Sequence, residues 1–347
     1  MMVLENTGSD IFKSVGQLLA KKHSNIVIMP HENPDGDAIG SAIGFAEILQ
    51  NSGQNVSIVS PNNYPGFLKW FSSGVEILIY ENHKKDAIKK IQAADLLFCL
   101  DFNETKRAGK LEKQLLEFSK PKVLIDHHPL LLSFCDYTIS EPAYSSTAEL
   151  IFDAAVQLNL APFINYNAAE ALYTGILTDT GSFSHSISRA NVFKVVSELL
   201  KYGINTNKVQ SNVYHNFSAE RMKLLGYCLN EKMEVFAELR TAVISLTKEE
   251  QLKYNFRIGD SEGFVNYPLS IKNIVFSALF IEKEGLVKAS FRSKGSFSVN
   301  EFSRDHFNGG GHLNAAGGES NENLDITLEK FRQLLTQYKY QLINTKI

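Results

Sequence analysis

Residues 26–41 read IVIMPHENPDGDAIGS: an apolar run leads into His31, and Asp35 and Asp37 follow in a turn that opens a run of small residues. The apolar run predicts a buried strand, and the small residues after the turn predict a helix. Open α/β sheets bind their ligands at the carboxyl ends of their strands. We therefore predict a site at this strand end, with side chains that bind metal ions.

The same pattern recurs along the chain. Two further apolar runs each end in side chains able to bind a metal ion: residues 96–100 before Asp101, and residues 123–125 before Asp126, His127 and His128. In a fourth element, Asp179 closes a helical run in a turn rich in threonine and glycine. Each piece alone could be a polar turn with no function beyond conformation. Their repetition favours a binuclear metal hydrolase.

Strand-like and helical segments alternate through the first half of the chain, which predicts a parallel α/β sheet. Ser146 and Glu149 have the spacing of a capping box, which we interpret as the structural start of a helix. Beyond residue 236, apolar runs at 274–281 and 286–292 flank a Gly-containing turn and predict an antiparallel hairpin.

The length of 347 residues and the hydrophobic content of 44% predict two domains with substantial cores. We place the first domain at residues 1–217, a helical linker at 218–235 and the second domain at 236–347.

Charge and cysteine content exclude several classes of protein. With 35 basic and 38 acidic residues the net charge is -3, which argues against binding of long nucleic acid because that requires a broad cationic surface. No apolar run approaches the roughly 20 residues that span a membrane, and we find no signal-peptide core. The three scattered cysteines predict neither a disulfide framework nor a cysteine zinc site. These features are typical of a cytoplasmic protein without a membrane partner.

In order and spacing, the acid and histidine motifs resemble the four motifs of the DHH phosphoesterase superfamily. Residues 308–317, NGGGHLNAAG, resemble the signature of its DHHA1 substrate domain. The resemblance covers nearly the whole chain and is closest to the bacterial nanoRNase and pAp-phosphatase group, the bifunctional oligoribonucleases. It implies an α/β fold with an N-terminal parallel-sheet DHH domain, a smaller C-terminal α/β DHHA1 domain, and an active site in the cleft between them.

Phosphoester hydrolysis with two divalent ions requires carboxylates that offset four positive charges. The candidate metal ligands are His31, Asp35, Asp37, Asp101, His127 and Asp179. The resemblance implies one ion held by His31, Asp35 and Asp101, and a second held by Asp37, Asp101, His127 and Asp179. Asp101 would then bridge the two ions. The mixture of imidazole and carboxylate favours Mn²⁺ over Mg²⁺, and Co²⁺ could substitute.

The resemblance also implies three residues beside the metals. His128 would face the substrate phosphate as a catalytic residue, and Asp126 would orient an imidazole rather than bind an ion. Arg107 follows Asp101 as in the family and could reach a phosphate, although a surface charge is nearly as good an explanation.

The second domain is expected to bind the nucleotide. Gly309, Gly310 and Gly311 would let the backbone approach an anion, with His312 beside them. We expect a helix to open at residues 314–316 and to add the affinity of a helix N-terminus for anions. Arg292-Ser293 resembles the Arg-Ser of the family that grips the substrate, and arginine suits bidentate capture of phosphate.

These expectations favour hydrolysis of very short oligoribonucleotides to mononucleotides, with removal of the 3′-phosphate of pAp as a second activity. A phosphodiesterase for linear or cyclic dinucleotides such as pApA or c-di-AMP is an enzymatic alternative. A nonenzymatic nucleotide-binding regulator is the alternative from another class. A pyrophosphatase is less favoured because the glycine signature indicates nucleotides, and a long-strand exonuclease would require further domains. The sequence leaves a homodimer open.

Overall fold

The structure, a computed structural model, describes residues 8–21, 23–71, 74–129, 133–184, 189–257 and 259–346. The chain divides between Asn216 and Phe217 into two compact units. Each unit has its own sheet and its own hydrophobic core. The predicted α/β class is confirmed.

The first unit is built on a parallel sheet. Its strands, within the described residues, are β1 (Asn25–Pro30), β2 (Asn55–Ser60), β3 (Glu76–Ile79), β4 (Leu96–Leu100), β5 (Lys122–Asp126) and β6 (Tyr137–Ser140). They lie in the order β3-β2-β1-β4-β5-β6, and all neighbours are parallel. The helices are α1 (Gly8–Leu19), α2 (Gly36–Asn51), α3 (Lys84–Ala93), α4 (Glu112–Glu117), α5 (Thr147–Gln157), α6 (Tyr166–Asp179), α7 (Asn191–Leu200) and α8 (Thr206–Tyr214).

Both faces of this sheet are covered, which explains its uninterrupted apolar strands. In β1, Ile26 and Ile28 belong to one hydrophobic core, and Val27 and Met29 belong to another. The edge strands β3 and β6 were not predicted, because they are short and largely half-exposed and so lack a continuous apolar run.

The small residues of α2 allow its backbone to touch α6. If Gly40 carried a Cβ atom, that atom would lie 2.6 Å from the carbonyl oxygen of Ala171 and 2.8 Å from the amide nitrogen of Gly175. Such separations are shorter than any real Cβ contact, so only glycine permits this approach. The close packing brings the end of α6 to the start of α2.

The second unit contains a mixed sheet. Its described elements are α9 (Ala219–Tyr227), β7 (Met233–Phe236), β8 (Thr241–Leu246), α10 (Lys248–Lys253), β9 (Phe276–Glu282), β10 (Val287–Ser293), α11 (Val299–His306), β11 (Gly310–His312), β12 (Ala315–Ser320), α12 (Leu324–Gln337) and α13 (Lys339–Asn344). The order is β11-β12-β10-β9-β8-β7, in which only the β8 to β9 pair is parallel among the described strands. The antiparallel hairpin of β9 and β10 agrees with the prediction.

The segment expected as a helical linker, residues 218–235, is part of the second unit. Helix α9 is followed by a π-helical turn, Cys228–Lys232, and the chain then enters β7, which pairs with β8. Leu224, Leu225 and Cys228 are buried in one core with residues of β8 and β9. The prediction of helix up to residue 235 is therefore wrong at its end, because pairing with β8 overrides the helical pattern.

None of the helices in the described ranges is long and apolar enough to cross a membrane.

Candidate metal centre

Three candidate ligands meet at the carboxyl edge of the parallel sheet. β1, β4 and β5 are neighbours, and His31, Asp101 and His127 are the residues that directly follow their last positions. Because parallel strands end at the same edge, their following residues converge.

Two helices deliver the other candidate acids. Asp35 caps α2, and its Oδ1 atom accepts hydrogen bonds from the amide nitrogens of Asp37 and Ala38, both at 3.0 Å. Asp37 lies in the first turn of α2 and is 1% exposed. Asp179 is the last residue of α6. The close packing of α2 and α6 therefore places these acids beside one another.

One cluster consists of His31, Asp35 and Asp101. The Nε2 atom of His31 lies 3.9 Å from Oδ1 of Asp35 and 3.6 Å from Oδ2 of Asp101. The Nδ1 atom of His31 lies 2.8 Å from the carbonyl oxygen of Glu32, to which it donates. This hydrogen bond places the Nε2 lone pair toward the two acids.

A second cluster consists of Asp37, His127 and Asp179. The Nε2 atom of His127 lies 3.8 Å from Oδ2 of Asp37 and 3.5 Å from Oδ2 of Asp179. The Nδ1 atom of His127 is 3.2 Å from the carbonyl oxygen of Tyr144. Each cluster thus has one imidazole oriented by a backbone carbonyl, as is usual for histidines that bind metals.

Asp101, a member of the first cluster, also lies beside His127 of the second cluster through its other oxygen atom. Its Oδ2 atom faces His31, and its Oδ1 atom is 3.7 Å from Nε2 of His127. The side chain is 2% exposed, and the backbone lies in the left-handed region with φ of 68°. Aspartate tolerates this conformation better than most residues. One buried carboxylate therefore points its two oxygens at two separate clusters.

The separations fit shared coordination of ions. The nitrogen to oxygen distances of 3.5–3.9 Å in both clusters exceed the roughly 2.7–3.2 Å of a hydrogen bond. Two ligands bound about 2.1 Å from one ion lie roughly 3 to 4 Å apart. The residues present therefore fit two divalent cations, with nitrogen and oxygen donors at each.

The electrostatics of the site also call for a cation. Burial and the carboxylates of Asp101 and Asp179 raise the pKa of Asp37 well above its ordinary value. Burial acts to raise the pKa of Asp101, but the surrounding imidazoles, His31 first, hold that pKa well below its usual range. Burial opposes protonation of His127, yet Asp101 and Asp37 outweigh it and raise the histidine pKa. The raised pKa of Asp37 indicates that the neighbouring side chains do not fully compensate its buried negative charge.

His128 and Asp126 form a buried pair next to the clusters. The Nδ1 atom of His128 donates to Oδ1 of Asp126 at 2.7 Å, which is the arrangement expected if Asp126 orients an imidazole. Burial raises the pKa of Asp126 to about 7 and lowers the pKa of His128 to about 3. Arg107, half-buried on the short 3-10 helix Thr105–Leu111, also acts to lower both pKa values.

The start of α5 agrees in part with the capping box. The Oγ atom of Ser146 accepts the amide of Glu149 at 3.0 Å, as predicted. The carboxylate of Glu149 accepts from the amide and hydroxyl of Ser145, both at 2.8 Å, instead of from Ser146. Ser146 therefore caps the helix as predicted, but the reciprocal hydrogen bond of Glu149 is made with Ser145.

This helix start also contacts two of the candidate ligands, a role that the sequence did not indicate. The amide of Thr147 donates to Oδ2 of Asp37 at 2.7 Å, and the amide of Ala148 donates to Oδ1 at 2.9 Å. The Thr147 hydroxyl donates to Oδ1 of Asp101 at 2.8 Å. The cap signal located the helix start, but no local signal indicated what it faces.

In the second unit, sheet register places two of the predicted substrate-binding residues in one row. Arg292 on β10 lies opposite Ala315 on β12, and Ala315 lies opposite His312 on β11. Directly opposed residues of antiparallel strands share a face. Arg292 and His312 therefore lie on one face of the sheet, with the small side chain of Ala315 between them.

The Ser293 hydroxyl is used within the unit. It donates to the carbonyl oxygen of Phe297 at 2.6 Å and accepts from Nδ2 of Asn314 at 2.8 Å. The side chain is 7% exposed. The observed role of Ser293 is to tie the hairpin turn at Asn314 to the end of β10.

The helix expected at residues 314–316 is absent: Asn314 lies in a turn, and residues 315 and 316 begin strand β12. Gly309 and Gly311 do not aim their amides outward, because Gly309 donates to the carbonyl oxygen of Ser303 at 3.3 Å and Gly311 to Oδ1 of Asn300 at 3.1 Å. Gly311 has a φ of 148°, and a Cβ atom there would lie 2.8 Å from Cα of Ala316. The glycines allow a tight hairpin against α11, so the expected anion site at a helix N-terminus is wrong.

Comparisons with known proteins agree with this architecture. Residues 25–176 match the DHH family, N-terminal domain, and residues 241–340 match the DHHA1 domain. The probable bifunctional oligoribonuclease and PAP phosphatase NrnA of Streptococcus mutans is 30% identical over 314 residues, which are 89% of this chain and 94% of that protein. The bifunctional oligoribonuclease and PAP phosphatase NrnA of Thermus thermophilus is 27% identical over 333 residues, 94% of this chain and 95% of that protein.

A solved structure is also closely similar. The crystal structure of an exopolyphosphatase-related protein from Bacteroides fragilis matches with a TM-score of 0.92 and 39% identity, over 99% of this chain and all of that chain. Since both domain matches fall on the two units described above, and the identity extends over nearly the full length of the relatives, the chain belongs to the DHH/DHHA1 family of phosphoesterases.

Proposed function

We propose that this chain hydrolyses very short oligoribonucleotides to mononucleotides and pAp to AMP, using two divalent ions. The observation that supports it most strongly is Asp101, whose two oxygens face the two ligand clusters. His31 and Asp35 would complete one site, and the second cluster would complete the other. When bound, two such ions lower the pKa of water and neutralise charge on the phosphoryl oxygens.

In this proposal, backbone carbonyls and neighbouring side chains hold and orient the imidazole rings of the site. The carbonyls of Glu32 and Tyr144 fix the two imidazoles with their Nε2 atoms toward the acids. Asp126 holds the His128 ring through Nδ1. We propose that His128, neutral at pH 7, meets the substrate phosphate, whose negative charge favours protonation of the ring. Arg107 is proposed to add positive charge on the same side.

The second unit is proposed to recognise the nucleotide. Arg292 and His312 share a row of the sheet across three strands, about 10 Å apart at the backbone from the usual strand spacing. That spacing suits two contacts to one mononucleotide, with the Arg292 guanidinium on a phosphate. Glycine residues 309–311 are proposed to support the hairpin that presents His312.

Mn²⁺ is the proposed native ion, with Mg²⁺ and Co²⁺ as substitutes, since each cluster has an imidazole and a hard ion accepts nitrogen ligands less readily. The substrate class is proposed from the names of the curated relatives and from the net charge of -3. The three cysteines, which are free thiols, support a cytoplasmic location.

The test is hydrolysis by protein that has been stripped with chelator and reconstituted with Mn²⁺. The substrates are pApA, a five-residue RNA, a thirty-residue RNA, pAp and c-di-AMP, with product analysis by chromatography. We expect the short RNAs and pAp to be converted and the long strand to be cut slowly. Faster hydrolysis of c-di-AMP would favour the dinucleotide phosphodiesterase instead. Tight binding of all short substrates without turnover would support a regulator and contradict the proposal.

A further inference from the structure

The first residue of α5, Thr147, contacts acids of both ligand clusters. We propose that Thr147 is a positioning residue whose hydroxyl fixes the rotation of the Asp101 carboxylate, so that one oxygen serves each ion. The inference rests on the proposed two-metal function but concerns a residue that no ligand motif of the sequence includes.

The hydroxyl of Thr147 donates to Oδ1 of Asp101 at 2.8 Å, and its side chain is fully buried. A carboxylate oxygen has two lone pairs. The hydroxyl occupies one lone pair on Oδ1, an oxygen that also lies 3.7 Å from Nε2 of His127 and 3.7 Å from Nδ1 of His128. The opposite oxygen is then directed at His31. The hydrogen bond therefore selects the carboxylate orientation that bridging requires.

Without this contact the carboxylate would be poorly defined. The terminal torsion of an aspartate is broad and roughly two-fold, so many orientations of the two oxygens have similar energy. A rotation of the plane would move both oxygens away from the clusters together. Fixing one oxygen with a directional donor fixes the other as well.

Thr147 is itself held rigidly. Its amide donates to Asp37 at 2.7 Å, and the preceding Ser146 caps the helix. Glu149, two residues further along α5, accepts from the hydroxyl of Ser145 and also from Nδ2 of Asn191 at 2.9 Å. The β-branched side chain of threonine further restricts χ1. The donor therefore has little freedom to follow a misplaced carboxylate.

Replacing Thr147 with valine keeps the shape and the amide contact to Asp37 but removes the hydroxyl. Partners of metal ligands typically change metal affinity or activity by about 10- to 100-fold. We expect Thr147→Val to weaken binding of one Mn²⁺ by that factor and to lower kcat comparably, with KM for pApA nearly unchanged. Thr147→Ser, which keeps the donor, should stay close to wild type.

The measurements are Mn²⁺ titration of metal-free protein by calorimetry, and electron paramagnetic resonance of the loaded protein. Two Mn²⁺ ions bridged by a carboxylate give an exchange-coupled spectrum, which Thr147→Val should lose and Thr147→Ser should keep. The matched control is Thr174→Val. It also removes a fully buried threonine hydroxyl, but this hydroxyl donates to the backbone carbonyl of Glu170 at 2.7 Å rather than to a candidate ligand. This control should retain wild-type affinities and spectrum.

Unchanged affinities and a coupled spectrum in Thr147→Val would overturn the inference, as would an equal defect in Thr147→Ser. Circular dichroism checks folding, and if Thr147→Val unfolds, the smaller Thr147→Ala is measured in the same way. The metal titration uses no substrate. Failure of the proposed substrate class would therefore appear in the turnover assay alone and would leave the result on Thr147 readable.

Discussion

Replacing Asp101 with asparagine should remove turnover by removing one specific ion. The Thr147 hydroxyl donates to the Oδ1 position of Asp101 at 2.8 Å, so the carbonyl oxygen of the new amide will take that position. The amide nitrogen will then face Nε2 of His31, which is 3.6 Å from the oxygen that it replaces. An amide NH₂ group has no lone pair for a cation. The ion of the His31 and Asp35 cluster should therefore be lost.

The expected loss of kcat in Asp101→Asn follows from the charge of the site and the number of its ligands. Four carboxylates offset the four positive charges of two divalent ions, and Asp101→Asn leaves three. Loss of an ion that polarises the phosphoryl group costs several kcal/mol in the transition state. About 4 kcal/mol corresponds to about a thousandfold in kcat. The fold should persist, because asparagine keeps the shape and the contact with Thr147.

The assay combines metal content by mass spectrometry with kcat on pApA. Asp95→Asn is the matched control, since Asp95 directly precedes the same strand at its opposite end and accepts the amide of Asn25 at 3.0 Å. It should keep both ions and wild-type turnover. If Asp101→Asn retained two ions and a kcat within a few fold of wild type, a bridging role for Asp101 would be refuted.

Three further outcomes are expected. Gly175→Ala should lower the melting temperature, because its Cβ atom would lie 2.9 Å from Oδ1 of Asp37 and overpacking costs about 1–3 kcal/mol. In the control Gly226→Ala, the new Cβ atom meets nothing within 4 Å, so the melting temperature should not change. Equal melting temperatures of the two variants would contradict the packing argument. Arg292→Ala and His312→Ala should each lower kcat/KM on pApA by tens of fold, which corresponds to about 2 kcal/mol of lost transition-state stabilisation. Hydrolysis of bis-p-nitrophenyl phosphate should be unaffected, since this small ester lacks the remote contact. Equal losses on both substrates would assign these residues to the fold. Chelator-stripped enzyme should regain more activity with Mn²⁺ than with Mg²⁺ that has been verified free of Mn²⁺, because two of the proposed ligands are imidazoles. Full activity in Mg²⁺ alone would refute the ligand assignment.

The local sequence was sufficient to locate the candidate ligands that follow buried strands. A short apolar run bounded by turn residues favours a buried strand, and the residue after such a strand emerges at the edge of the sheet. His31, Asp101 and His127 could be located in this way. The small residues of α2 predicted a helix, but the close contact of Gly40 with α6 was not predicted.

Tertiary structure alone decided the contacts between segments distant in sequence. Thr147 lies 46 residues from Asp101 and 110 from Asp37, and a capping signal states where a helix begins but not which carboxylate it meets. Residues 315 and 316 form a strand rather than a helix because they pair with β10 and β11, and strand preference depends on such neighbours more than on the residues themselves. The sequence by itself determined which side chains could bind metal and where their strands end; the packing of α5 and α6 onto that edge decided how the side chains are held.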